Sequence, residues 1–352
     1  MSEEKQKPKY TILVTCAASI VVPSSLQAIE RSTNNEYEFV GVDASEDDLA
    51  KTYLSHFYKV PFAYQSDYVD RLADIISTHK VNYLLVLSDE EALVLSEDTT
   101  KERLARLGCT VLLPDHTVVR TCKDKGDFLA FLSNQANLSE TYNLVNNASD
   151  LDTAACAMGY PENQFIIKPR NGRGSRGIML IDDNASPSDI VKVRDNKSYS
   201  LSFAKTLFES ETNLDLIAMP YYSGEDYNID VLCNRGEVVY SMIQRRIAPK
   251  MGAITSAQIV NDSDIHNVIA ELVSTLNVTG LINIELARCE QSNVPKVYEI
   301  NPRPSAAFAF SCYQGVDVLA DLIAVLSGSG VDKRQFLPMK IKRVWQQIYN
   351  YE

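Results

Sequence analysis

No stretch of the 352-residue chain approaches the ~20 consecutive apolar residues that a helix needs to cross a bilayer. Histidine is scarce, and His56, His79, His116 and His266 lie too far apart to give a zinc-ligand spacing. Seven cysteines form no CxxC pair, and an odd count fits reduced thiols better than a disulfide framework. A basic excess is missing as well: the formal net charge is -12, which argues against general nucleic-acid binding. The opening MSEEKQKPK is polar and carries no signal-peptide core. There is no internal repeat and no low-complexity tract. These absences set the expectation of a soluble, cytoplasmic protein with neither a membrane nor a nucleic acid as partner. With 45% hydrophobic residues, the chain can bury large cores and is expected to form two or three domains.

What is present begins with alternation. Strand-like runs at Tyr10–Cys16, Glu38–Val42, Tyr58–Val60, Asn82–Leu87 and Thr110–Leu113 are separated by helical runs. The helices are expected near Pro23–Arg31, Asp47–His56, Asp67–His79, Glu90–Leu95 and Thr100–Leu107. Such a series predicts an open parallel sheet over about 115 residues. Its first turn, Cys16-Ala17-Ala18-Ser19, has no glycine. A dinucleotide fingerprint needs glycines so that backbone and pyrophosphate can meet closely, and NAD binding is rejected. Asp43 then reads as a strand-end or cap aspartate.

Further on, Thr121–Lys125 opens an amphipathic helix expected to run to about Asn134. Lysines there oppose the helix dipole unless an anion lies nearby; a solvated first turn is the alternative. Strand Gln164–Pro169 carries Lys168 into RNGRGSRG, where Gly172, Gly174, Ser175 and Gly177 form a loop able to fold over phosphates. A flexible turn is the alternative, and the strand lysine tilts the reading toward a triphosphate. The stretch Ser186–Ser210 reads as mostly helical. Met219-Pro220-Tyr221 offers an apolar link able to sandwich a purine. Glu225 is placed to accept from ribose hydroxyls, or is a solvated turn carboxylate. Arg245 and Arg246 end a strand, so alternation sends them to opposite faces and only one can reach a cleft. Gly252, in the loop Ala248–Thr255, could close over the same substrate.

The most organised run is VYEINPRPS, Val297–Ser305, read with LINIELA, Leu281–Ala287. Glu299, Asn301 and Arg303 alternate and so share one strand face, while Glu285 can add a second carboxylate. Two carboxylates and an amide oxygen suit Mg2+, and an arginine beside them suits a phosphoryl group in transfer. A solvated edge strand is the competing reading.

The order of motifs carries the resemblance: Asp124–Lys125, IIKP with its glycine loop at Ile166–Gly177, Gly224–Asp230, Glu285, and Glu299–Ser305. Together they resemble the ATP-grasp superfamily, in its carbamoyl-phosphate-synthetase-like branch of stand-alone carboxylate–amine ligases. The resemblance implies an α/β fold: a pre-ATP-grasp parallel-sheet domain (1–115), a linker helix and lid subdomain (116–222), and a C-terminal subdomain with the metal site (223–352). It implies ATP with Mg2+, Mn2+ being the alternative, and small-molecule carboxylate and amine substrates of amino-acid type. A homodimer stays open. By resemblance Lys125 meets the phosphates, and Lys168 contacts the α-phosphate and adenine. Gly174, Ser175 and Gly177 cover the outer phosphates, and Met219 and Tyr221 flank adenine. Glu225 holds ribose, while Glu285, Glu299 and Asn301 hold the metal. Arg303 faces the transferred phosphoryl group and Arg245 or Arg246 the substrate. Pro220 lacks an N–H, which departs from the usual adenine-binding link.

The implied reaction activates a carboxylate as an acyl phosphate, which an amine then opens to give an amide with ADP and phosphate. Gln244-Arg245-Arg246 is similar to a segment of biotin carboxylases. Their Gln-Val-Glu-His run after the Asn-Arg motif is replaced here by Pro304-Ser305-Ala306-Ala307, which speaks against bicarbonate–biotin chemistry. A phosphotransferase and a non-catalytic nucleotide-binding protein are the alternatives. The second is disfavoured because binding alone would not require Glu285, Glu299, Asn301 and Arg303 together.

Overall fold

The computed structural model describes residues 9–33, 35–135, 138, 140–172, 176–186, 188, 198–248 and 254–344. Their strands form three sheets. The first is wholly parallel and comprises β1 (Lys9–Val14), β2 (Glu36–Asp43), β3 (His56–Lys59), β4 (Tyr83–Leu85) and β5 (Thr110–Val111), in the order β3-β2-β1-β4-β5. Continuous apolar strands belong in a sheet covered on both faces. Accordingly Leu13 enters one core with the helix Tyr68–His79, while Ile12 and Val14 enter another on the opposite side.

The second sheet holds β6 (Asn143–Asn147), β7 (Phe165–Pro169), β8 (Met179–Ile181), β9 (Ser198–Tyr199) and β10 (Thr212–Pro220), ordered β6-β10-β7-β8-β9. The third is antiparallel and holds β11 (Asp226–Asn234), β12 (Glu237–Ala248), β13 (Ser256–Val260), β14 (Gly280–Arg288), β15 (Pro295–Asn301) and β16 (Met339–Lys342). Its order is β15-β14-β11-β12-β13-β16. No described helix is by itself long and apolar enough to cross a membrane. All seven cysteines are free thiols.

Three local expectations change. The helix expected over Asp47–His56 is a single 3-10 turn, Asp48–Thr52, because His56 pairs with Val40 as the start of β3. The helix expected from Thr121 is two, His116–Lys123 and Lys125–Ser133, broken where Asp124 turns extended. Its carboxylate caps the second helix by accepting the Gly126 and Asp127 N–H groups at 2.8 and 3.0 Å. Within Ser186–Ser210, the described residues give the short strand β9 and the helix Leu201–Leu207. Residues 187 and 189–197 lie outside the described set.

Register in the third sheet sets where its polar side chains stand. Ile243 pairs with Ile229, Ile229 with Ile284, and Ile284 with Ile300, giving an isoleucine row across four strands. That row packs into a core with Phe128, Leu129 and the helix Ser263–Leu276. One residue along, on the other face, Gln244 pairs with Asn228, Asn228 with Glu285, and Glu285 with Glu299. Strand side chains alternate faces, so the same register that buries the isoleucines lines up four polar side chains opposite them. Beyond this polar stretch the second face turns apolar again. Leu232, Tyr240 and Met242 share a core with Ile12, Val14 and Phe308, joining the first sheet to the third. Phe308, only 3% exposed, belongs to the 3-10 helix Phe308–Gln314 that packs on the helix Val22–Ser32. Phe308→Ala should therefore cost about 3–5 kcal/mol through lost burial and a residual cavity. Denaturant unfolding checks this, and a loss under about 1 kcal/mol would contradict a shared core.

Candidate functional site

The polar row floors a cleft of about 400 Å³ between the second and third sheets. Ile166 and Lys168 reach it from β7, Met219 from the end of β10, and Asn228, Glu285, Glu299 and Asn301 from the third sheet. Asn228 Nδ2, in the floor, and Gln244 Oε1, buried beside it on β12, have no hydrogen-bond partner. Buried polar atoms are rarely left unpaired in a finished structure, so an unmet donor lining a cleft marks a place for ligand or water.

Glu299, on β15, is where the helix Lys125–Ser133 and β7 meet the third sheet. Lys168 Nζ lies 3.6 Å from one of its oxygens and Lys125 Nζ 3.5 Å from the other. Lys125 is the first residue of its helix and donates to the Gly172 carbonyl at 2.6 Å, which ties it to the glycine loop. Lys168 is 2% exposed and donates to the Tyr298 carbonyl at 3.2 Å. Burial pulls its ammonium below the ordinary lysine range, with Glu299 opposing that pull. Glu285, its neighbour across the strands, is pushed up to about 7, first by burial and next by the Glu299 charge. Asn301 Nδ2 reaches Glu285 at 3.4 Å and Asn283 Oδ1 at 3.1 Å. Among the described residues, no three His, Cys, Asp or Glu side chains cluster as a metal site. Glu285 and Glu299 stand side by side in the cleft, while Asn301 turns its Nδ2 toward Glu285 and its Oδ1 toward Arg303. The carboxylate pair, with the amide oxygen of Asn301 once its side chain turns over, is the set of hard oxygen donors that would hold Mg2+.

The arginines separate as alternation requires. Arg246 faces the cleft, its side chain 5% exposed, with Nε 3.2 Å from Asp226 and Nη2 3.7 Å from Glu285. Arg245 turns to Glu225 and to Gln258 Oε1, the latter at 2.6 Å. Glu225 also accepts from the Tyr227 hydroxyl at 2.6 Å, and that bond, outweighing burial, holds its carboxyl below the usual range. Met219 and Tyr221 line the apolar end of the cleft with Ile166 and Ile178. The Tyr221 N–H is committed to the Gln164 carbonyl at 3.3 Å. Gly177 has φ +76, and a Cβ there would meet the Pro169 side chain at 2.8 Å, so glycine is required. Gly174, Ser175 and Gly252 lie outside the described residues.

Arg303 lines the cleft too, with one edge of its guanidinium already engaged: Asp89, from the first sheet's side, holds Nε and Nη2 at 2.9 and 3.0 Å. Sequence reasoning gave Asp89 no role, since 214 residues separate the pair. It also passed over Tyr298, whose hydroxyl donates to Asp226 at 2.9 Å and reaches Glu285 at 3.3 Å. Glu285 pairs with Glu299 but Leu286 with Val297, so Tyr298 is the extra residue of a β-bulge. The bulge turns Tyr298 and Glu299 into the cleft together, against strict alternation.

Beneath the floor, Asp230 is 4% exposed and accepts from Gln244 Nε2 at 2.7 Å and Asn283 Nδ2 at 3.2 Å. Burial outweighs these donors and pushes its carboxyl up to about 6. A raised carboxyl favours the protonated fold, so its contribution is full below about pH 4 and is lost as pH rises through about 6. Asp230→Asn keeps the shape, and Gln244 can turn its unpaired Oε1 toward the new amide. Urea unfolding of wild type should lose up to about 3 kcal/mol more between pH 4 and 7 than this variant does. Equal pH slopes would contradict the assignment.

The geometry can be set beside known proteins. Residues 212–346 match the family model described as ATP-grasp in the biosynthetic pathway with Ter operon. No curated protein matches the chain. Among solved structures, N5-carboxyaminoimidazole synthetase from Staphylococcus aureus complexed with ADP is similar, with TM-score 0.68 and 15% identity over 97% of this chain and 83% of that one. L-amino acid ligase from Bacillus licheniformis gives TM-score 0.63 and 14% identity, covering 92% of this chain and 75% of that one. A biotin carboxylase complex from Campylobacter jejuni gives TM-score 0.63 and 15% identity, covering 91% and 71%. The chain thus shares its fold with these enzymes over nearly its whole length, and its C-terminal part, residues 212–346, matches an ATP-grasp family model.

Proposed function

We propose that the chain is an ADP-forming carboxylate–amine ligase of amino-acid-type substrates, with 1–115 as pre-ATP-grasp domain, 116–222 as linker and lid, and 223–352 as the metal-bearing lobe. One observation carries this reading. Three cations, Lys168, Arg246 and Arg303, line a cleft that also holds Glu285, Glu299 and Asn301, and a fourth, Lys125, reaches Glu299 from the recess behind. Such a cleft suits a polyphosphate with its counter-ion, and a structural ion-pair cluster would not leave Asn228 Nδ2 unmet at its floor.

In this reading adenine lies among Ile166, Ile178, Met219 and Tyr221, and Glu225 takes the ribose. Lys125 and Lys168 hold the phosphates beneath the loop containing Gly174, Ser175 and Gly177. Glu285, Glu299 and Asn301 would hold Mg2+ or Mn2+, whose chemistry there is to neutralise charge on the phosphate oxygens. Arg246, facing the cleft, orients the substrate carboxylate, while Arg245 stays with Glu225. A carboxylate oxygen then bonds to the γ-phosphorus as the bond to the ADP oxygen breaks. Arg303 and Lys168 offset the charge that develops. The amine lone pair next attacks the acyl carbon, phosphate leaves, and the amine proton passes to water. No protein nucleophile is needed, which fits the lack of any Ser-His-Asp pattern.

The test is release of phosphate from MgATP with pools of amino acids and small carboxylates. Wild type should release ADP and phosphate with at least one pool and yield an amide. Glu299→Gln should abolish release while the protein stays folded. Arg246→Ala should lower kcat/KM by the equivalent of about 2–4 kcal/mol, and Arg245→Ala far less. A product that retains the phosphoryl group would make the chain a phosphotransferase, and full activity of Glu299→Gln would remove the metal assignment.

A further inference from the structure

We propose that Asp89 is a positioning residue for Arg303, gripping one edge of the guanidinium so that its other edge is presented to the cleft. The inference rests on the ligase reading above and extends it to a residue outside the nucleotide-binding lobes.

The contact is built on rigid parts. Asp89 is the first residue of the helix Asp89–Leu95, just beyond β4, and its backbone is fixed by the Ser88 hydroxyl, which accepts the Glu91 N–H at 3.3 Å. Asp89 Oδ1 accepts from Arg303 Nε at 2.9 Å and Oδ2 from Nη2 at 3.0 Å, a bidentate fork. Nη2 also donates to Asn301 Oδ1 at 3.3 Å, and Nη1 donates to the Pro304 carbonyl at 3.0 Å. A guanidinium has five N–H groups, and these four bonds leave the second N–H of Nη1 for the cleft that Arg303 lines.

Asp89 itself does not line the main cleft. It borders a small recess behind it, shared with Lys125, Glu299 and Asn301. The two side chains are 16% and 14% exposed. Burial would push the Asp89 carboxyl up, but the Arg303 guanidinium overrides it and holds the group below the usual range. The phosphoryl group in transfer, lying in the cleft, meets the Nη1 edge. It does not displace Asp89, because that would leave a buried carboxylate unpaired. Asp89 thus works behind Arg303 as the partners of metal-bound histidines work behind the metal, by fixing orientation.

The test compares wild type, Asp89→Asn and Asp89→Glu in MgATP-dependent phosphate release with the most active amino-acid pool, and follows thermal unfolding of each. Positioning predicts that kcat falls about tenfold or more in Asp89→Asn while KM for ATP stays within about twofold. Asp89→Glu keeps the charge but moves the carboxylate by a methylene, and should also lose kcat. If Asp89→Asn fails to fold, Asp89→Glu decides: a wild-type rate means mere charge balance and overturns the proposal. Wild-type kcat in Asp89→Asn, or a loss confined to KM for ATP, overturns it equally. Wild type that releases phosphate keeps the ligase reading whatever the variants do. Wild type silent on every pool overturns that reading and this inference with it.

Discussion

The register of the third sheet is the constraint on which the rest depends. Because Ile229 pairs with Ile243 and Ile284, Asn228 must pair with Gln244 and Glu285, and Glu285 with Glu299. A slip of one residue would turn two glutamates, an asparagine and a glutamine into the isoleucine core and the four isoleucines out of it, so hydrophobic burial fixes the position of the polar row. The cleft's chemistry is therefore secured by the core on its far side. Charge is then balanced across chain segments: Glu299 from β15 meets Lys125 from a helix start and Lys168 from β7.

That balance has a cost which the cleft retains. Glu285 stands beside Glu299 at low exposure, and Lys168 is nearly fully buried, so each is pulled toward its neutral form. Isolated buried charges are expensive, and pairing only partly offsets their lost hydration. A cluster so arranged adds little net stability, and the proposed site for a polyphosphate and its counter-ion would use it.

Much of this was legible in the sequence where the period is regular. Glu299, Asn301 and Arg303 do share the cleft, Glu285 does lie opposite Glu299, and Arg245 and Arg246 do diverge. The reading failed where local rules are broken or contacts are distant. Tyr298 is aimed by a bulge that strict alternation hides, and Asp89 is joined to Arg303 by tertiary packing that leaves no local trace. The row of Gln244, Asn228 and Glu285 needs a strand register that no single segment specifies. The helix break at Asp124, by contrast, was readable, since an aspartate followed two residues later by glycine marks a cap and a weak helix former.

In the proposed function Lys168, held over Glu299, makes this cleft a nucleotide site. Titration calorimetry of MgADP into wild type and Lys168→Met tests it most directly, with the fold of the variant checked by circular dichroism. Saturable binding to wild type with one site per chain is expected, weakened about tenfold or more in the variant. Absence of saturable binding to wild type, or equal affinity in a folded Lys168→Met protein, would contradict it.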